Sequence, residues 1–215
     1  MEKQYSNVLV LSATQSTLQI TGVTMTAVTG LAGYALADDK SFATVPLTCY
    51  VFGSAITTIP ASLLMRTVGR RAGFQTGTAL GMLGGAICSL GIYLASFWLL
   101  CAGMTVMGMY TAFGKYYRFA AADAASLSFK AKAISFTLAG GILGGVVGPE
   151  MAKRTKDLFA DHVYMGSYLS LIAVCMLAML VLSRLDIPKL SAHEQKDSGR
   201  PLGTIMRQPV FVVAV

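Results

Sequence analysis

Six apolar stretches alternate with short polar segments along this chain, over residues 8–36, 42–64, 73–94, 97–119, 133–151 and 163–182. A hydrocarbon core of about 30 Å needs about 20 residues of helix to cross it. Inside that core each backbone group must find its partner within the chain, which restricts such stretches to helices or closed barrels. The pattern therefore predicts an all-α integral membrane protein, with a six-helix transmembrane bundle over residues 1–184. The first stretch is the longest and the most polar. From 185 to 208 the mixture of charges with Pro188, Gly199 and Pro201 predicts a cytoplasmic linker that stays in water. Residues 209–215 form a further apolar run, too short to cross, which reads as the start of a seventh helix. An apolar strip placed there suggests a fragment of a larger protein, one whose partner is a missing second half.

Composition agrees with a bilayer environment. The chain is 54% hydrophobic and 13% charged, against roughly 25% charged residues in an average soluble domain. A soluble fold would have to expose much of that apolar surface to water. The net charge of +7 would suggest nucleic acid in a soluble protein, but the basic residues here sit in short loops between apolar runs. With the N-terminus in the cytoplasm, thirteen of them fall inside and four, Lys40, Lys153, Arg154 and Lys156, fall outside. That bias follows the positive-inside rule. It predicts a multi-pass cell-membrane protein, by default of a bacterial inner membrane, with no nucleic-acid partner. The N-terminal stretch shows no cleavable signal pattern, so the first span is expected to direct insertion itself. Cys49, Cys88, Cys101 and Cys175 lie inside apolar runs without metal or redox spacing. No catalytic triad, phosphate loop or metal cluster emerges, so neither an enzyme nor a cofactor is implied.

Two segments carry more specific patterns. The loop after the second span reads Ser62, three residues, Arg66, Thr67, one residue, then Gly69, Arg70 and Arg71. A glycine permits a tight turn there, and the two arginines suit carboxylates on neighbouring helix ends. The fifth span places Gly140, Gly144 and Gly148 four residues apart, on one smooth face, and follows them with Pro149. The loop resembles the cytoplasmic signature of the major facilitator superfamily, although Ser62, Arg66 and Thr67 replace its first glycine, aspartate and arginine. The fifth span resembles the signature of that superfamily's antiporters, carried here by Gly144, Gly148 and Pro149; the glycines that usually follow are replaced by Met151 and Ala152. Met104 stands where those antiporters often have a membrane-embedded arginine. The resemblance implies the N-terminal half of a twelve-helix transporter, built from two inverted three-helix repeats. It also implies a small organic solute moved by alternating access, with efflux or antiport as the direction suggested by the fifth span.

The first span supplies the clearest polar face. Gln15, Gln19, Gly22, Thr26 and Thr29 recur at intervals of three and four. A glutamine amide facing lipid would leave its polar atoms unmet, at a cost of about 4 kcal/mol or more. This face is expected to meet either another helix or a watery cavity, and in the resembling family first helices line that cavity. Gln15, Gln19 and Thr26 are therefore the candidate substrate contacts. Lys115 joins them, being deep enough in the fourth span to face a cavity. Tyr116, Tyr117 and Arg118 read instead as interfacial anchors. Asp123 ends that span on the same side as Arg70 and Arg71 and is the expected ion-pair partner of that loop. A different class stays open at this point: a complete six-span oligomeric channel or a membrane scaffold protein.

Overall fold

The computed structural model describes residues 2–187, so the linker and seventh-helix expectations for 188–215 lie outside the described residues. The described chain is helical throughout: α1 (Glu2–Leu36), a short 3-10 turn (Lys40–Phe42), α2 (Val45–Val68), α3 (Arg70–Tyr93), α4 (Phe97–Gly114), α5 (Tyr117–Asp123), α6 (Lys130–Thr155) and α7 (Met165–Leu182). Five segments among these residues are long and apolar enough to cross a membrane. The sixth, α1, has the length at 35 residues, but its serines, threonines and glutamines lower its hydropathy. The fourth predicted span is divided. Lys115 and Tyr116 turn the chain between α4 and α5, and α5 lies at the end of the bundle against α6.

Helix packing repeats in a pattern of threes. α1 packs mainly on α6 and α7, α2 on α4, and α3 on α4 and α7. Counting only long helices, the first meets the fifth, the fourth meets the second, and the third meets the sixth. Exchanging the two halves maps this arrangement onto itself, as expected of two three-helix repeats.

One end of the bundle gathers the α2–α3 turn, the α4–α6 connection, the end of α7 and the start of α1. Gly69 makes the α2–α3 turn at φ 95° and ψ 161°, a conformation strained for any residue with a Cβ. Asn7, buried on α1, donates from its amide to the Asp186 carbonyl at 2.8 Å and accepts from the Asp186 N–H at 3.0 Å. The chain leaving α7 is thus clasped to the start of α1. At the other end the His162 and Tyr93 rings meet at 5.0 Å. The loops fall at the two ends in the grouping that the charge bias predicts.

Candidate functional site

A cavity of about 730 Å³ opens between α1 on one side and α2 and α4 on the other. Its α1 wall carries Gln15, Gln19, Gly22 and Thr26; its opposite wall carries Tyr50, Thr111, Lys115 and Arg118. All four residues singled out on sequence grounds as substrate contacts therefore line one space. The opposite wall is tied together by hydrogen bonds. The Tyr50 hydroxyl meets Thr111 Oγ1 at 2.9 Å, and Lys115 Nζ donates to Ser54 Oγ at 2.9 Å. Both pairs have the same separation of 61 residues, so α2 and α4 run parallel here with a fixed register. Tyr116 adds a third tie, donating to the Thr58 carbonyl at 2.9 Å.

The polarity of α1 divides among three uses. Gln15, Gln19 and Thr26 face the cavity. Thr29 does not join them: it is buried against Tyr168, hydroxyl to hydroxyl at 2.9 Å. Ser12, Ser16 and Thr24 face α6. Their hydroxyls donate to the carbonyls of Phe136, Gly140 and Gly148 at 2.9, 2.5 and 2.9 Å. Each donor and acceptor lies 124 residues apart, which makes α1 and α6 parallel and in register along the seam.

The glycine face of α6 is what allows this approach. A Cβ at Gly140 would overlap the Ser12 carbonyl, and one at Gly144 would overlap the Ser16 carbonyl. One at Gly148 would stand 2.8 Å from Val23 Cβ. The neighbouring Gly145 faces away, with nothing within 4 Å. α6 continues as helix through Pro149, which removes one backbone donor near its end.

At the bundle end that holds the α2–α3 turn, Arg70 Nη2 meets Asp123 Oδ2 at 2.6 Å. The ion pair is half open to solvent and joins α3 to α5. Arg71 lines a small cleft beside it with Gln75 and Asp186. The interfacial reading needs correction at Tyr117. Tyr117 is fully buried, edge-on to Phe74 at 4.7 Å, because the α4–α5 turn swings its side chain into the core. Arg118 lines the cavity. Tyr50 and Thr111 had no signal in the sequence, since a lone tyrosine and threonine inside apolar spans read as packing.

No family model matches the sequence. Whole-protein comparisons are more informative. The chain is 36% identical over 211 residues to the riboflavin transporter RfnT of Brucella anthropi, covering 97% of this chain and 53% of that protein. It is 31% identical over 135 residues to the uncharacterized MFS-type transporter YddS of Bacillus subtilis, covering 61% of this chain and 31% of that protein. Among solved structures it superimposes on the Escherichia coli fucose:proton symporter FucP with a TM-score of 0.72 and 15% identity, covering 91% of this chain and 53% of that one. The chain belongs to the major facilitator superfamily. It is an all-helical, multi-pass membrane protein of that fold, related to transporters and not to enzymes. It spans about half the length of the Brucella anthropi relative. Within this superfamily context its departures are local. Arg66 replaces the loop aspartate, Asp123 supplies the carboxylate for Arg70, and Met104 is buried core where antiporters often carry an arginine.

Proposed function

We propose that this chain forms the N-terminal half of a secondary transporter that moves a small polar organic solute by alternating access. The observation that carries this reading is the cavity. Its volume falls within the roughly 300–1,000 Å³ of small-molecule sites, and polar side chains from four helices, α1, α2, α4 and α5, converge on it. Gln15 and Gln19 each offer one amide acceptor and two donors, a set suited to a heterocycle bearing carbonyl and N–H groups. Riboflavin, the substrate named for the Brucella anthropi relative, has such a ring and is the first solute to test.

The second half has a ready docking surface. α2 and α6 flank the cavity and expose apolar rows, Val51, Phe52, Ile56 and Ile59 on one and Ile142, Leu143 and Val146 on the other. A matching half packed on these rows would close the cavity on its open side. In this arrangement the Arg70–Asp123 pair acts as a latch at the cytoplasmic end, with Gly69 holding the turn that presents it. Gly140, Gly144, Gly148 and Pro149 keep α6 close against the cavity-lining helix. The charge bias supports an N-terminus on the cytoplasmic side of a bacterial inner membrane, and the α6 pattern favours efflux or antiport.

The test is flux of riboflavin across proteoliposomes holding the full-length protein, read in both directions. Saturable flux that collapses in Gln15→Leu and Gln19→Leu variants supports the reading. Unsaturable flux, or none for any of a panel of polar heterocycles, overturns it in favour of a channel or a scaffold.

A further inference from the structure

We infer that the solute carries a negative group, a carboxylate or a phosphate monoester, which sits between Lys115 and Arg118. This rests on the transport reading of the cavity and narrows its substrate class. Two cationic side chains line the cavity, and among the described residues no carboxylate lines it with them. The ion pairs among the described residues are Lys3–Asp186, Arg70–Asp123, Arg154–Glu150 and Lys156–Asp157. Neither Lys115 nor Arg118 takes part in one.

Geometry adds to charge. Lys115 follows the last residue of α4, and its ammonium donates to Ser54 Oγ, leaving further donor capacity on the same nitrogen. That bond and the adjoining Tyr116–Thr58 bond pin the α4–α5 turn to α2, so the ammonium is held before any solute arrives. Arg118 lies one helical turn on, its guanidinium 4.9 Å from the Phe119 ring. A lysine offers a compact charge and an arginine a planar fork, and both are suited to carboxylate or phosphate oxygens. Ionisable side chains at a membrane cavity are costly unless compensated, which makes them functional sites by default. An anion would engage the donors that Ser54 and the Phe119 ring leave unused. The cavity then has two poles: amides and a threonine on α1 for the uncharged body of the solute, and cations on the α4–α5 side for its charge.

The experiment compares matched neutral and anionic competitors on the full-length protein in proteoliposomes. Riboflavin and its phosphate monoester share one ring and differ in charge. A second panel pairs aromatic carboxylates with their neutral amides. The anionic member of each pair should half-saturate at about one tenth of the concentration of its neutral partner, the gain of one charge-assisted contact. Lys115→Gln combined with Arg118→Gln should abolish that ratio, and Lys115→Arg should keep it, which separates charge recognition from a folding defect. Equal potency of charged and neutral partners, or a ratio that survives the double glutamine variant, overturns the inference even where flavin transport itself is observed. If no flavin binds but the carboxylate panel shows the ratio and its loss, the charge inference stands and the flavin reading falls. If both pairs lack the ratio, the inference falls.

Discussion

The glycine face of α6 yields a prediction with its control one residue away. Replacing Gly144 with alanine places a Cβ on the Ser16 carbonyl, 2.8 Å from Gln19 Cβ and 3.0 Å from the Ile20 nitrogen. Two of these three atoms are backbone and cannot rotate aside, so α1 and α6 must separate. Overpacking of this kind costs about 1–3 kcal/mol. Separation also stretches the Ser16–Gly140 and Thr24–Gly148 hydrogen bonds, each worth about 0.6 kcal/mol in a membrane interior. Replacing Gly145 with alanine meets nothing within 4 Å. That change keeps only the helix-propensity gain of about 1 kcal/mol, which Gly144→Ala shares. The propensity contribution therefore cancels in the comparison, leaving Gly144→Ala less stable than Gly145→Ala by about 2–4 kcal/mol. For a chain of this size that is roughly 5–15 °C in midpoint temperature. The assay is the fraction of monodisperse protein surviving heating in detergent, followed by size-exclusion chromatography. Equal midpoints for the two variants would refute the claim that this seam depends on glycine.

Three further outcomes are expected. Reversing the Arg70–Asp123 pair one side at a time should lower flux, and the double reversal should recover it; because the side chains are 26% and 48% exposed, their attraction is about 0.5–1 kcal/mol, weak enough for a latch that must open. A double variant no better than either single one would remove the pair from the mechanism. Gly69→Ala should cost about 1–3 kcal/mol through the positive φ with extended ψ at the α2–α3 turn, visible as a lower thermal midpoint, and an unchanged midpoint would contradict the turn geometry. Gln15→Leu and Gln19→Leu should leave thermal stability within about 1 kcal/mol, since these side chains line the cavity and their amides hold no hydrogen bond to a neighbouring helix among the described residues, while flux is lost; unchanged flux would return α1 to a packing role.

The long helices and their order were legible because a bilayer demands long apolar segments separated by short polar loops. The ion pair of Arg70 with Asp123 was legible for the same reason: once the spans are counted, those residues must share one end. What escaped was rotation about each helix axis. Thr29 follows the same three-and-four spacing as Thr26 but is buried on Tyr168. A long helix that curves past several neighbours does not keep one face on one partner. The break at Lys115 and Tyr116 was hidden too: Gly114 stands just before it, but glycines recur throughout these spans, and aromatic residues resume at once from Tyr116. That break places Tyr117 in the core and brings Arg118 to the cavity.

The paired architecture explains why polar residues accumulate where they do. In one seam, α1 against α6, hydroxyls close onto backbone carbonyls across glycines, and polarity is consumed in holding two helices together. In the equivalent seam, α2 against α4, Gly53 and Gly108 again bring backbones close. There two of the three bonds run between side chains instead, Tyr50 with Thr111 and Ser54 with Lys115. Side-chain pairs of this kind retain unused donors and acceptors, and Tyr50, Thr111 and Lys115 present them to the cavity. Two seams built on the same packing solution thus do different work: one fixes the helix that carries Gln15 and Gln19, and the other supplies the wall those amides face. Substitutions in the first seam should act on stability before flux, and substitutions in the second on flux before stability.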